Sequence, residues 1–280
     1  MDIVMPFVLE NLRFKGVYIG ADKTIQEILD CHSYPVVVQK VLSEAIVLAI
    51  ALAQSIKYTG VFSLQVRSSG PISSLYVNVT NDKQVRAYAN FEEEKLPSED
   101  DMSNETLFGN GELLFSVTQI GQQPYQGIVL LTGKTLLDTV LDYFKLSEQI
   151  KTDIIIRQKG NQTRCLMVQQ MPLRAGDEKD EVEDIYETVT VLMHSVKDTE
   201  LFYENLAPEK LLYRLFHAND LTVYEPAIPV FSCPCRKEQM KRFLSRLDPK
   251  EREDLYQDGQ IVSECQFCQR QYVFKHEDFE

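Results

Sequence analysis

Several signatures of common function classes are missing from this sequence. It has no glycine-rich loop of the kind that cradles phosphates and no G-x-S-x-G nucleophile elbow, so ATP hydrolysis and serine chemistry have no residues to act through. Basic residues are also scarce, because 29 Lys and Arg stand against 42 Asp and Glu, which gives a formal net charge of -13. A charge of this sign repels a phosphate backbone and argues against general nucleic-acid binding.

The features of an exported or membrane protein are absent as well. Asp2 stands where a signal peptide would carry basic residues, and Glu10 interrupts the first apolar stretch. The most apolar run, from Glu44 to Ile56, is shorter than the ~20 residues that span a bilayer and is predicted to be a buried helix. We therefore expect a cytoplasmic protein without a membrane partner, in a compartment where thiols are kept reduced.

Residues 1–175 are predicted to form an N-terminal α+β domain built on an antiparallel sheet. Apolar and polar residues alternate in successive runs that are separated by short polar turns, which is typical of strands joined by hairpins. These runs are GVFSLQVRSSG, SSLYVNVTNDKQVRAYAN, ELLFSVTQ, GIVLL and DIIIRQKGNQTRCLMVQQ. A helix is predicted over KTLLDTVLDYFKLSEQI, with Thr135 as its N-cap and an apolar face of Leu137, Val140, Leu141 and Phe144.

Residues 176–230 are assigned to a metastable helical linker. Acidic side chains crowd its start, and residues 174–180 are predicted to be solvated. Apolar residues then recur at helical spacing and predict a helix over 182–196, whose stripe is Val182, Ile185, Val189, Leu192 and Val196. Because several of its residues are β-branched, this helix is expected to depend on docking for its stability. A second helix is predicted to start at Pro208.

Four of the six cysteines stand in two tight pairs within residues 231–280, the small C-terminal domain. Cys233 and Cys235 form C-x-C, and Cys265 and Cys268 form C-x-x-C. Two such turns, brought together, supply the four thiolates of a tetrahedral Zn²⁺ site. A C-x-x-C pair can instead cycle between dithiol and disulfide, as in a thiol oxidoreductase. The zinc interpretation is favoured because both pairs are present.

The remaining cysteines and the histidines have less specific interpretations. Cys31 and Cys165 are predicted to be buried packing residues. His276 lies near the second cysteine pair and is the alternative ligand that the sequence offers. With four cysteines available, a site without a histidine is favoured.

Further motifs accompany the cysteine pairs along the whole chain. They are GNGEL at 109, YQGIVLL at 125, DYFKLSEQ at 142, LLYRLFH at 211 and VYEP at 223. In this order, and followed by the two cysteine pairs, they resemble the heat shock protein 33 family, also called the 33 kDa chaperonin family, of redox-regulated bacterial holdases. One departure is Gln269, which follows the second pair at a position where such knuckles often have glycine. It removes no ligand.

The resemblance implies a cytoplasmic stress-response chaperone that holds unfolding proteins without ATP and is not an enzyme. In the reduced, inactive form it implies one Zn²⁺ bound by Cys233, Cys235, Cys265 and Cys268. Oxidants would join Cys233 to Cys235 and Cys265 to Cys268, expel the zinc and unfold the C-terminal domain with the linker. The partners implied are unfolding client proteins and, on activation, a second copy of the chain. A thiol oxidoreductase and a constitutive zinc-ribbon interaction module remain the alternatives.

Overall fold

Two large β-sheets and the helices around them make up most of the structure, a computed structural model that describes residues 1–119, 125–172 and 179–279. The first sheet consists of β1 Asp2–Leu9, β2 Phe14–Ala21, β8 Thr152–Lys159, β9 Gln162–Gln170 and β10 Leu221–Val223. Its strand order is β10-β1-β2-β9-β8, and all neighbouring strands are antiparallel.

The second sheet has six strands. They are β3 Gly60–Ser68, β4 Ile72–Thr80, β5 Gln84–Phe91, β6 Gly111–Gln119, β7 Tyr125–Leu130 and β11 Val230–Phe231. Their order is β11-β5-β4-β3-β6-β7. The pairing of β11 with β5 is parallel, and the other pairs are antiparallel. A separate hairpin near the C-terminus joins β12 Gln260–Glu264 to β13 Gln271–Lys275.

Nine α-helices connect and cover these sheets within the described ranges. They are α1 Asp22–Leu29, α2 Val36–Ser55, α3 Asn104–Phe108, α4 Leu136–Tyr143, α5 Lys179–His194, α6 Asp198–Leu201, α7 Pro208–Phe216, α8 Lys237–Leu244 and α9 Pro249–Glu253. Short 3₁₀ turns occupy Glu93–Lys95 and His276–Phe279, and a π-helical turn, Phe144–Glu148, continues α4.

The predicted strands are confirmed, and so is the α+β fold class. In the pairing of β3 with β4, Phe62 lies opposite Val79, and all the apolar positions of the alternating pattern are buried on the same face. The predicted hairpin of β8 and β9 turns at Gly160 and Asn161, where Gly160 has a φ of 56°. Alternation of period two is therefore a reliable guide for β3, β4 and β5, whereas β9 is buried on both faces.

Helix α2 lies between the two sheets and forms the centre of the larger core. It contacts β2, β8 and β9 on one side and β3, β4 and β5 on the other. A helix that is enclosed in this way needs apolar residues all round, and α2 has them. The prediction of a buried helix is therefore confirmed.

The length of α2 differs from the prediction. The helix has 20 residues and begins at Val36 rather than at Glu44, so by length and composition it could cross a membrane. However, 78% of its most apolar stretch is buried inside the structure. Burial between two sheets explains its apolar character.

Helix α4 begins where the sequence predicts, and the predicted apolar face packs on the core. The Thr135 hydroxyl accepts a hydrogen bond from the Asp138 amide at 3.1 Å, and the Asp138 carboxylate accepts one from the Thr135 amide at 2.9 Å. This capping box fixes the start of the helix. Leu136 and Val140 are buried, whereas Leu137 and Leu141 are partly buried at the margin of the core. All four residues of the predicted face lie in the core or pack against it, and Leu136 is a further buried residue that was not predicted.

Helix α5 corresponds to the predicted linker helix, and it docks on the five-stranded sheet. Val189 and Met193 are fully buried in a second apolar cluster that includes Phe14, Ile155 and Leu211. Ile185, Leu192 and Val196 pack around them, which confirms the predicted stripe at every position except Val182, although the helix ends at His194. Met193 was not predicted. The predicted solvated run 174–180 falls mainly outside the described residues, which resume at 179.

Polar contacts join α5 to the start of β8. Lys151 forms an ion pair with Glu183, and the Tyr186 hydroxyl donates to the Thr152 carbonyl at 3.3 Å. At the end of the helix, His194 Nε2 lies 2.8 Å from Asp153 Oδ2, and Asp153 is 7% exposed. Asp153 Oδ1 also accepts from the Ile154 amide at 2.9 Å, so His194 is the partner of the second carboxylate oxygen and favours the docked position of α5.

The segment after α7 is tied to both sheets. Residues 221–223 form β10 and pair with β1, while Val230 and Phe231 pair with Gln84 and Val85 of β5. The range assigned to the linker therefore ends in two strands that belong to the sheets. The C-terminal region with the four clustered cysteines, residues 232–279, begins directly after β11 and is called the cysteine region.

The C-terminal region has a very small apolar core. In the part of the chain that the structure describes, this core contains three buried residues, Leu244, Ile261 and Phe274, with a few partly buried neighbours. Three side chains at about 2 kcal/mol each cannot offset the conformational entropy of some 45 ordered residues. This region therefore needs another source of stability.

The docking of α5 predicts different outcomes for two valines of the same helix. Val189 is 0% exposed and Val191 is 70% exposed. We expect Val189→Ala to weaken the docked helix by about 2 kcal/mol, because it removes buried methyl groups and leaves a cavity. Val191→Ala should be neutral or slightly stabilising, since alanine has the higher helix propensity.

Hydrogen exchange of the amides of α5 measures this difference. Faster exchange in Val189→Ala alone is the expected result. Equal exchange rates in the two variants would contradict the docking of α5 through this face.

Candidate metal centre

The backbone around the cysteines places both pairs at one end of the C-terminal region. Cys233 and Cys235 lie between β11 and α8, and Cys265 and Cys268 lie in the turn between β12 and β13. That turn is closed by two backbone hydrogen bonds, from the Cys265 amide to the Arg270 carbonyl at 3.0 Å and from the Gln269 amide to the Cys265 carbonyl at 2.8 Å. The hairpin thus holds its two sulfurs toward the first pair.

The four sulfur atoms form one cluster. The Sγ atoms of Cys233 and Cys265 are 3.6 Å apart, those of Cys235 and Cys268 are 3.4 Å apart, and all four lie within 4.8 Å of one another. A disulfide requires about 2.05 Å, so the thiols are reduced. A tetrahedral shell with Zn–S bonds of about 2.3 Å places sulfurs about 3.8 Å apart. The cluster therefore has the dimensions of a four-thiolate metal site.

Each cysteine pair contributes one buried and one partly exposed thiol. Cys235 is 6% and Cys265 is 3% exposed, whereas Cys233 and Cys268 have intermediate exposure. A cluster that opens to solvent on one side can exchange a metal ion and can be reached by a small oxidant. The same exposure is compatible with a structural site.

The ionisation of the cluster favours a bound cation. Burial raises the pKa of Cys235, but hydrogen bonds from Tyr272 and from the neighbouring thiols outweigh burial and lower it to about 7. The Tyr272 hydroxyl lies 3.2 Å from Cys235 Sγ. Burial and the adjacent sulfurs raise the pKa of Cys268. Without a cation, the negative charge of one thiolate disfavours ionisation of the neighbouring thiols. Four thiolates together therefore require a metal ion.

The structure brings together all four cysteines that the sequence singled out. Within the described ranges they form the group of side chains that could hold a metal ion. His276 is placed elsewhere: its ring stacks on Tyr256 with centroids 3.8 Å apart, and its Nδ1 lies 4.0 Å from a carboxylate oxygen of Glu253. The favoured interpretation, a site without a histidine, agrees with this placement.

The prediction for the other two cysteines holds for one of them. Cys165 lies in β9 and is 0% exposed, which confirms a packing role. Cys31 is partly exposed in the turn after α1, where its thiol donates to the Glu27 carbonyl at 3.3 Å, so the prediction of burial was wrong. Burial, followed by the charges of Asp30 and Cys265, raises the pKa of Cys31.

Two aromatic residues of the site were missed from the sequence. Tyr272 donates a hydrogen bond to a cluster sulfur, and Phe267, between Cys265 and Cys268, packs on the six-stranded sheet. The sequence contained only a weak signal for Phe267, a large apolar side chain in an otherwise polar turn, because single apolar residues on a surface are common. It contained none that would name the partner, which is far away in the chain.

Gln269 adopts the left-handed backbone conformation, with a φ of 55°. This conformation costs a residue with a β-carbon about 1 kcal/mol and costs glycine little, which explains why glycine is common after such a pair. The departure at this position is therefore accommodated by strain in the turn, and the turn keeps its ligand geometry.

The strain at Gln269 predicts a gain in metal affinity on substitution. We expect Gln269→Gly to bind Zn²⁺ up to about fivefold more tightly, because relief of about 1 kcal/mol stabilises the folded, metal-loaded turn. Gln266→Gly in the same turn is the matched control and should bind no more tightly than the parent, since Gln266 has no positive φ. Competition with a chelator measures both affinities. Equal gains in both variants would show that the strain is not specific to position 269.

Comparison with known proteins agrees with this geometry. The family model described as Hsp33 protein matches residues 2–275. The 33 kDa chaperonin of Proteus mirabilis is 31% identical over 282 residues, covering 99% of this chain and 94% of that protein. The 33 kDa chaperonin of Aeromonas salmonicida is 31% identical over 284 residues, covering 100% and 94%. A crystal structure of the 33 kDa chaperonin from Thermotoga maritima shares the fold, with a TM-score of 0.82 at 21% identity over 99% of this chain and 96% of that one. The resemblance found in the motifs is thus confirmed, and the chain belongs to the Hsp33 family of chaperones.

Proposed function

We propose that this protein is a redox-regulated, ATP-independent holdase that is inactive when reduced and loaded with zinc. The observation that carries the proposal is the cluster of four sulfurs within 4.8 Å, in a region whose core has three buried apolar residues. Such a region is stable with its metal and unstable without it. A switch between order and disorder follows from this imbalance.

The proposed ligands are Cys233, Cys235, Cys265 and Cys268, and the proposed metal is one Zn²⁺. Zinc suits four thiolates in tetrahedral geometry and has no redox chemistry of its own, so electrons are exchanged by the sulfurs. When bound, the ion keeps all four sulfurs as thiolates and contributes about 10 to 16 kcal/mol of apparent binding free energy to folding. Tyr272 orients Cys235 through its hydroxyl group.

Oxidation removes this stabilisation and replaces little of it. Two thiols and one hydrogen peroxide give one disulfide and two waters, and a disulfide sulfur is no longer a thiolate ligand. We propose the pairs Cys233–Cys235 and Cys265–Cys268, following the family resemblance. A disulfide that closes so short a loop contributes only ~2 kcal/mol by the chain-entropy relation. The stabilisation from two such disulfides is far smaller than the stabilisation from the bound metal, so the region should unfold.

Two close sulfur contacts in the cluster join cysteines of different pairs. Cys233 faces Cys265 at 3.6 Å and Cys235 faces Cys268 at 3.4 Å. Disulfides across the cluster would close long loops, contribute roughly 4 kcal/mol each and preserve a compact region. Peptide mapping of the oxidised protein distinguishes the pairings. Pairs within each motif suit the proposed unfolding, and pairs across the cluster would contradict it.

Client binding needs exposed apolar surface, and the linker helix offers it. Val189 and Met193 of α5 are fully buried, as is Phe14 in the sheet beneath them. Helix α5 packs on the five-stranded sheet, while the cysteine region makes ring contacts with the six-stranded sheet. The coupling therefore runs along the chain, through β10 and β11, which tie residues 221–231 to the two sheets. Loss of the cysteine region frees β11 first.

The remaining features follow the family. We propose that the protein acts in the cytoplasm during oxidative stress, binds unfolding proteins, forms a homodimer on activation and catalyses no reaction. Neither nucleic acid nor a membrane is a proposed partner, given a net charge of -13 and a burial of α2 between the sheets.

The proposal predicts that zinc loss and chaperone activity rise together. Reduced, zinc-loaded protein is treated with hydrogen peroxide at raised temperature, and zinc release is followed alongside the thermal aggregation of citrate synthase. We expect aggregation to be suppressed as zinc leaves. Cys31→Ser should behave as the parent protein does, because Cys31 is outside the proposed ligand set, whereas Cys268→Ser should bind zinc weakly and be partly active before oxidation.

The alternatives give other results in the same experiment. Zinc release without any suppression would identify a structural zinc ribbon. Catalytic turnover of a dithiol substrate by the zinc-loaded protein would identify an oxidoreductase.

A further inference from the structure

The turn that carries the second cysteine pair packs against the body of the protein through one aromatic ring. The Phe267 ring meets the Tyr88 ring edge-on, with centroids 4.7 Å apart and an interplanar angle of 87°. The Arg86 guanidinium lies 4.0 Å from the centre of the same ring. Edge-to-face and cation–π contacts of this kind each stabilise by roughly 1 kcal/mol.

The receiving surface lies on the outer face of the six-stranded sheet. Tyr76 of β4 is paired with Tyr88 of β5, and their rings stack with centroids 5.0 Å apart and an angle of 11°. Arg86 is two residues before Tyr88 and therefore points to the same side. The alternate residues of these strands, among them Val77 and Ala87, are buried on the face toward α2. Tyr76, Arg86 and Tyr88 together form an aromatic platform.

The position of Phe267 on this platform depends on the metal centre. Phe267 stands between Cys265 and Cys268, so the sulfur cluster fixes the turn that presents the ring. His32, in the turn after α1, lies next to the backbone of Gln266 and Phe267. When the cysteine region unfolds, the ring has no structure to hold it in place, and the platform becomes free.

We propose that the aromatic platform is a docking site for an aromatic side chain, held by Phe267 in the reduced protein and open to an aromatic residue of an unfolding client after oxidation. This inference rests on the proposed holdase function and names one surface that the client contacts. Phe267 itself shows which ligand chemistry the platform accepts. The chain has a net charge of -13, which repels an acidic peptide, and the single arginine of the platform does not offset this repulsion. Recognition therefore depends on the aromatic ring of the ligand.

Aggregation assays on the full-length oxidised, zinc-free protein test the docking site, because the cysteine region has then already left the platform. Tyr88→Leu keeps an apolar side chain at a site that is 8% exposed, and Arg86→Gln removes the cation at a half-buried one. We expect each variant to need about fivefold more protein than the parent for half-suppression of citrate synthase aggregation. Tyr213→Leu is the matched control, since Tyr213 is 64% exposed on α7, and it should equal the parent.

A second pair of variants separates the occupant from the platform. Phe267→Ala in the oxidised protein should equal the parent, because the ring has already departed. In the reduced, zinc-loaded protein the same change should speed zinc release by peroxide, whereas Phe243→Ala, at a 64% exposed phenylalanine of α8, should not. If oxidised Phe267→Ala lost as much activity as Tyr88→Leu, Phe267 would itself bind clients, and the proposal would be overturned.

Three further results would overturn the proposed docking site. If the parent suppresses aggregation and both platform variants equal it, the docking site is wrong and the holdase function stands. If the platform variants abolish a dimer, measured by sedimentation, without changing suppression, the occupant is a second copy of the chain and the proposal is overturned. If the oxidised parent suppresses nothing, the holdase function itself fails, and the docking site with it. Circular dichroism of the reduced variants confirms that the sheets remain folded.

Discussion

The approach of four thiol groups to within 4.8 Å of one another is the constraint on which the arrangement of the last fifth of the chain, from residue 231 onward, depends. Leu244, Ile261 and Phe274 supply too little buried surface to order the surrounding chain. In the proposed function, the order of α8, α9 and the β12–β13 hairpin depends on the sulfur cluster and on the cation bound there. Oxidation of the sulfurs would then change the fold, because few other interactions stabilise this region.

The larger core is expected to remain folded when the C-terminal region unfolds. Helix α2 is enclosed by two sheets, and the larger core extends through both of them. Helix α5 has an intermediate status: Val189 and Met193 anchor it, but its β-branched sequence gives it little helical stability of its own. We therefore propose three levels of stability: a core that stays folded, a docked helix α5, and a C-terminal region that depends on its metal.

The sequence predicted well whatever is repeated or locally spaced. Alternating residues predicted the strands, Thr135 and Asp138 predicted the start of α4, and the two cysteine pairs predicted a shared cluster. Long-range packing could not be predicted in the same way. The contact of Phe267 with Tyr88 and that of His194 with Asp153 join residues that no local pattern connects. Cys31 was misjudged because burial of a thiol depends on the neighbouring turn and not on residue type.

The central claim, that the cysteine region is folded by its metal, is tested most directly by hydrogen exchange on fully reduced protein with and without a zinc chelator. Oxidation is then excluded, and loss of the ion is the variable that changes. The amides of residues 237–275 should lose protection, while those of β1–β6, β8 and β9 keep theirs. Undiminished protection of residues 237–275 in the metal-free, reduced protein would show that this region folds without its metal and would contradict the switch.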